Sequence, residues 1–308
     1  MKKIALTCGD PAGVGPEIIS RWLAENPEEC GNVVVVGPRR WAEQLPCESV
    51  FVGNENFEIT PGFPSEAGQR VALAAMERAA AGTRSGEFAA VVTAPINKAG
   101  LKSIGYDFPG QTEFFAARWG GVPVMAFAGG RLSVVLATWH IPLQDVPAAL
   151  TEETLSNAVE QAAFLAEKIS RVANPARVAS SELRIGVCGL NPHAGEQGIL
   201  GREEIEVIEP VLKKLRSRFP GLSHCVPADT IFARQLRGEF DVVVALYHDQ
   251  ALAPLKTLEF DEAVNISLGL PHVRTSPDHG TAYDIAGKGI ARTKSFANAV
   301  RLAKLLIS

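Results

Sequence analysis

Short, almost wholly apolar runs alternate with amphipathic stretches along this chain. Ile4–Leu6, Val33–Val36, Ala89–Val92, Ser133–Thr138, Leu183–Cys188 and Asp241–Leu246 have the pattern of strands buried on both faces. In Glu153–Ile169 the apolar residues Leu155, Ala158, Val159, Ala162, Leu165 and Ile169 recur at helical spacing, with Glu152 and Glu153 where the helix dipole favours anions. Gly201–Arg216 repeats the pattern, acids first and bases last, and Pro210 predicts a kink within it. A last helix is predicted over Phe296–Ile307 with Ser295 as its N-cap. Strands alternating with helices predict an α/β fold with a mainly parallel sheet. No repeat, low-complexity tract or strong linker marks a boundary.

The histidines add chemistry to this frame. There are six, and His140, His193 and His248 each follow a strand-like run. Ligands in open α/β sheets bind beyond the carboxyl ends of the strands, so three imidazoles delivered there predict one divalent metal site. Asp249, next to His248, is placed to orient a ligand. Taken singly, each histidine is an ordinary hydrogen-bonded loop residue; the shared position carries the reading.

Lys256, Asn265 and Arg274 form a second polar set. Lys and Arg suit phosphate or carboxylate, although each alone also reads as a solvated charge. Asn265 sits inside the apolar stretch Val264-Asn265-Ile266 and there requires a partner. Two glycine-rich segments remain open at this level. Thr7–Glu17 joins a strand to a helix and reads either as a structural turn or as a phosphate cradle. Pro277–Gly289 reads as a seat for a flat ligand or as a surface loop capping the last helix.

Composition narrows the class. The chain has 308 residues, 46% hydrophobic and 21% charged, with a net charge of −4. That length supports a large core, and the absence of a basic excess argues against nucleic acid. No apolar run reaches the roughly 18 residues of a membrane span, and the apolar stretch ending at Thr7 is short for a signal peptide. Five dispersed cysteines without a C-x-x-C pair are read as reduced thiols of a cytoplasmic protein.

The segments Gly9–Glu17, Thr93–Lys98, Thr112–Phe115, His140–Leu143, Gly189–Glu196, Pro227–Thr230, Tyr247–Gln250, Asn265–Pro271 and Arg274–Ala282 together resemble the 4-hydroxythreonine-4-phosphate dehydrogenase family of pyridoxal phosphate biosynthesis. The resemblance runs in order along nearly the whole chain. It implies an isocitrate/isopropylmalate-dehydrogenase-like α/β/α fold, with residues 1–120 plus 268–308 on the cofactor side and 121–267 on the metal and dimerisation side. It implies a homodimer whose active site is shared between chains. It assigns His140, His193 and His248 to a divalent metal (zinc, magnesium or cobalt), and Gln111, Thr112, Lys256, Asn265 and Arg274 to substrate. Similarity of the later loop to that of isopropylmalate dehydrogenase assigns NAD or NADP to His279, Gly280, Thr281, Ala282, Asp284 and Ile285. The implied reaction is oxidation and decarboxylation of 4-phosphooxy-L-threonine to 3-amino-2-oxopropyl phosphate.

The chain departs from the family at Gln111, where histidine is usual. Glutamine donates a hydrogen bond but carries no charge. One alternative is therefore a dehydrogenase of erythronate or threonate 4-phosphate; two readings from other classes are a non-enzymatic phosphate-ligand binding protein on the same fold and a hydrolase using the same histidines. A terephthalate-dihydrodiol activity fits Gly110–Glu113 and the Lys/Asn/Arg set less well.

Overall fold

The structure, a computed structural model, describes residues 2–173 and 183–308, with the side chains of 171–173 excepted. The chain divides into two compact units, residues 1–123 with 264–308, and residues 124–263.

In the first unit the strands are β1 (Lys3–Thr7), β2 (Val33–Gly37), β3 (Glu48–Phe51), β4 (Phe88–Thr93), β10 (Val264–Leu268) and β11 (Val273–Pro277). Their order is β3-β2-β1-β4-β11-β10. All neighbours run parallel except β10 and β11, which are antiparallel. The valines of β2 are buried on both faces because helices cover the sheet. Helix Glu66–Arg84 starts at Ser65, whose Oγ accepts the Gly68 N–H at 3.1 Å. It lays Val71, Ala72, Ala75, Met76 and Ala79 into a core shared with Phe114 and Phe115 of helix Gln111–Trp119.

The second unit holds β5 (Val124–Ala128), β6 (Ser133–Leu136), β7 (Ile185–Cys188), β8 (Leu222–Val226) and β9 (Val242–Ala245), in the order β5-β6-β9-β7-β8. Only β5 and β6 are antiparallel. Helix Glu152–Ala173 buries Leu155, Ala158, Val159, Ala162 and Leu165. Thr151 starts it, accepting the Thr154 N–H at 3.2 Å. The six strands expected from the apolar runs all form.

Two helix expectations change. The stretch from Gly201 is a π-helical turn, Glu204–Ile208, followed by an α-helix, Glu209–Leu215, so Pro210 lies in a first turn where its missing N–H costs nothing. Ser295 is not an N-cap. The last helix is Lys294–Ile307, capped at Thr293 without a side-chain bond, and Ser295 is buried within its first turn. The Ser295 hydroxyl is spent elsewhere, accepting the Asp278 N–H at 3.3 Å.

Candidate active site

Each unit carries part of the expected chemistry. In the second unit the order β6-β9-β7 sets His140, His248 and His193 beyond the same ends of three adjacent parallel strands. The His140 and His248 rings lie 5.7 Å apart between centroids. Nδ1 of His248 donates to Asp249 Oδ1 at 2.7 Å, which fixes the ring and its tautomer. His193 does not complete the set. Among the described residues no group of three or more His, Cys, Asp or Glu side chains is arranged to hold a metal ion. Within one chain the structure thus brings two of the three imidazoles close together.

The reason lies in the loop after β7. His193, Ala194, Gly195, Glu196 and Gln197 all have positive φ, a left-handed turn that costs about 1–2 kcal/mol for each residue bearing a Cβ. Buried Glu204, from the π-helical turn, holds the loop. Its carboxylate accepts the backbone N–H of Leu190 at 2.8 Å and of Asn191 at 2.7 Å, and Asn191 Nδ2 at 3.0 Å. His193 itself is exposed. Ile199, which follows the loop, is 79% exposed, and Leu143, three residues after His140, is 67% exposed; both offer apolar surface to solvent. Lys256 is on the helix His248–Glu259, half-buried and in contact with neighbours.

In the first unit Arg274, Asn265 and Thr112 meet in one buried polar network. β10 and β11 pair with Ser267 opposite Arg274, and Asn265 and Ser267, two residues apart, share a face. Arg274 is 3% exposed. Its Nη1 donates to Asn265 Oδ1 at 3.0 Å and to Ser267 Oγ at 3.3 Å, while Nε and Nη2 donate to Thr93 Oγ1 at 3.0 and 2.8 Å. Ser267 Oγ is 2.9 Å from Thr112 Oγ1. Burial pulls the Arg274 guanidinium down from its usual range to about 10, against the nearby Tyr106 and Glu113. A buried cation held by neutral oxygens is a site for an anion. Gln111 begins the same helix as Thr112, its Oε1 buried and without a hydrogen-bond partner. Thr93 and Ser267 were not singled out from sequence. The only signal was Thr93 heading the Thr93–Lys98 segment.

The two glycine-rich segments are parts of one scaffold. Gly13 N–H goes to Asp10 O at 3.0 Å, Val14 N–H to Thr281 O at 2.9 Å and Ala12 N–H to Asp10 Oδ1 at 3.0 Å. These bonds engage the N–H groups of Ala12, Gly13 and Val14, as a structural turn requires. A Cβ on Gly13 would stand 2.7 Å from Thr281 O, which explains the glycine. Fully buried Asp10 accepts Gln69 Nε2 at 2.7 Å and the Tyr283 hydroxyl, and Glu17 accepts the N–H groups of Gly287 and Ala291. Burial, then Asp10, pushes the Tyr283 phenol up to about 12. The loop thus braced carries Ala282 at φ 46°, an exposed Gly280 and an exposed Asp284; Thr281 and Ile285 are half-buried. His279 Nδ1 lies 3.0 Å from Gly280 O, and its buried Nε2 has no hydrogen-bond partner. An orphaned ring nitrogen beside an open glycine fits the edge of a planar ligand.

The profile of the family described as "Pyridoxal phosphate biosynthetic protein PdxA" matches residues 24–303. The chain belongs to the PdxA family. It is 42% identical to a 4-hydroxythreonine-4-phosphate dehydrogenase of Thioalkalivibrio sulfidiphilus, over 98% of this chain and 96% of that one. A crystal structure of 4-hydroxythreonine-4-phosphate dehydrogenase from Klebsiella pneumoniae superposes with a TM-score of 0.83 at 33% identity, covering all of both chains. A β-decarboxylating dehydrogenase of Thermococcus kodakarensis matches with a TM-score of 0.51 at 17% identity, covering 99% of this chain and 84% of that one. That last likeness shows the fold alone, the isocitrate/isopropylmalate-dehydrogenase-like architecture expected for PdxA proteins.

Proposed function

We propose that this chain, an oxidoreductase by its family, oxidises and decarboxylates 4-phosphooxy-L-threonine to 3-amino-2-oxopropyl phosphate with NAD or NADP and a divalent metal. The observation that carries the reading is the buried Arg274 guanidinium, whose hydrogen bonds among the described residues go to the neutral oxygens of Thr93, Asn265 and Ser267 while the Glu113 carboxylate is near. Such a fork binds an anionic group of the substrate, and Lys256 holds a second. Thr112 and Gln111 supply hydrogen bonds at the start of their helix. His279–Ala282, Asp284 and Ile285 hold the cofactor. When bound, the metal (zinc, magnesium or cobalt) polarises the oxygen at the reacting carbon and the nicotinamide accepts the hydride. Asp249 keeps the His248 imidazole in the tautomer that leaves its other nitrogen free to coordinate.

His140 and His248 of one chain are joined by His193 of a second copy in a homodimer. The in-chain pair, the exposed strained loop bearing His193 and the exposed apolar residues Ile199 and Leu143 support this arrangement. Unpaired cysteines at all five positions accord with a cytoplasmic setting. Among the described residues no helix is long and apolar enough to cross a membrane.

A second reading, a four-carbon sugar-acid 4-phosphate as substrate, rests on Gln111. Steady-state assays with 4-phosphooxy-threonine, erythronate 4-phosphate and threonate 4-phosphate, each with zinc, magnesium or cobalt, decide between them. The highest kcat/KM is expected for 4-phosphooxy-threonine; no NAD(P) reduction with any of the three sinks the enzymatic reading. Shared sites are tested by co-expressing His140→Ala and His193→Ala chains. Each variant alone is expected to be inactive. Random mixing is expected to restore about a quarter of wild-type turnover, because half the dimers are hybrid and each hybrid has one intact site. No recovery would place all three histidines in one chain.

A further inference from the structure

Arg274 has five N–H donors, and its hydrogen bonds among the described residues account for four: one from Nε and one from Nη2 to Thr93, and two from Nη1 to Asn265 and Ser267. Among those residues one Nη2 donor is left on a guanidinium that is 3% exposed, hydrogen-bonded to uncharged oxygens and influenced by the nearby Glu113 carboxylate. Thr93 holds the Nε–Nη2 edge with one atom. It is fully buried at the end of β4, and its Oγ accepts two N–H bonds from that edge. A threonine Oγ has two lone pairs, so both go to Arg274, while the Oγ–H remains as a donor. The hydroxyl therefore fixes the rotation of the guanidinium plane about the side-chain axis. Asn265 and Ser267 fix the opposite end, and Ser267 passes the constraint to Thr112 at 2.9 Å.

We propose that Thr93 is a positioning residue for substrate binding: by gripping two nitrogens of Arg274 it presents the unspent Nη2 donor to an anionic group of the substrate, with Ser267 as the counter-grip. This rests on the reading that Arg274 binds that anion. The chemistry recognised is a phosphate monoester or a carboxylate, both of which accept from a guanidinium.

The test uses Thr93→Val, which keeps shape and removes the acceptor, and Thr93→Ser, which keeps the acceptor. Thr93→Val is expected to raise KM for the phosphorylated substrate roughly tenfold to a hundredfold, the range of a hydrogen bond to a charged group. The kcat is expected to fall only a few-fold, and KM for the nicotinamide cofactor to stay within about twofold. Thr93→Ser is expected to bring KM back to within a few-fold of wild type. Inorganic phosphate and oxalate, as competitive inhibitors, identify the anion: a Ki weakened by the same factor for either supports the proposal. Wild-type KM and both Ki values in Thr93→Val, or Thr93→Ser as damaged as Thr93→Val, overturn it. Should Thr93→Val fail to fold, Thr93→Ser against Thr93→Ala, which differ by the hydroxyl alone, gives the same reading. Arg274→Ala separates the two layers: wild-type KM there removes the anion site itself, whereas a defect there with an inert Thr93→Val removes only the positioning role.

Discussion

Gln111 is the position at which the chain departs from the family it resembles, and its side-chain oxygen is buried without a hydrogen-bond partner among the described residues. A buried acceptor that lacks a donor costs about 1–3 kcal/mol, a cost that a donor on a bound ligand would remove. Histidine would bring a different property, a charge that appears near pH 6.5. Gln111→His is therefore expected to lower KM for the phosphorylated substrate several-fold below about pH 6.5, with the gain fading by pH 8. The wild type would lack this component. A pH series of kcat/KM for the two proteins checks it, and a pH-independent ratio refutes it. Legibility at this scale was uneven. Asn265 could be picked out because an amide inside an apolar stretch needs a partner, and Arg274 because a guanidinium suits phosphate or carboxylate. Thr93 and Ser267 could not, since hydroxyl residues are unremarkable in strands, and only the register of β10 on β11 brings Ser267 to Arg274. Ser295 misled because a good capping residue was already engaged by the backbone of Asp278.

Among the elements, the valine-rich strands were readable because burial on both faces leaves little choice of residue. β11, Val273–Pro277, was not, although it is buried: its Arg274, Thr275 and Ser276 satisfy one another's surroundings by hydrogen bonds rather than by apolar character. Thr275, for example, donates to Ala299 O at 2.8 Å. β8, Leu222–Val226, hid for a related reason, since its middle residues are polar and served by Glu209. That carboxylate accepts Cys225 N–H at 2.7 Å, Arg216 Nη2 at 2.9 Å and His224 Nδ1 at 3.0 Å. Burial works to raise the Glu209 pKa, but these donors outweigh it and hold it below the ordinary 4.5. A carboxylate lowered in the folded state gives stability that is full above the unfolded pKa and is lost as pH falls through the folded one. Glu209→Gln is thus expected to cost about 1–3 kcal/mol at pH 7, and the gap to wild type should shrink below about pH 4.5. Urea unfolding midpoints at pH 7 and pH 3.5 measure both. An equal gap at the two values would show that the carboxylate's charge contributes nothing.

For the whole molecule, the proposed histidine trio is the decisive question, because within a single chain only His140 and His248 form a close pair of rings among the described residues. A left-handed turn carrying four non-glycine residues is expensive to keep unless it serves a purpose, and Glu204 spends a buried carboxylate to keep it. Ile199 and Leu143, 79% and 67% exposed, are costly in the same sense, as large apolar groups left in water. Both expenses are explained if the loop inserts into a second copy. Replacing Leu143 and Ile199 together by glutamate places two like charges in such an interface, where desolvation opposes association. The double variant is expected to sediment as a monomer while keeping wild-type circular dichroism. Its turnover should fall about a hundredfold or more, since loss of one metal donor alone removes most metal affinity. Metal titration followed by calorimetry should show weakened binding in parallel. A variant that stays dimeric would move the interface elsewhere on the chain. A folded, fully active monomer would mean that His193 reaches His140 and His248 within its own chain.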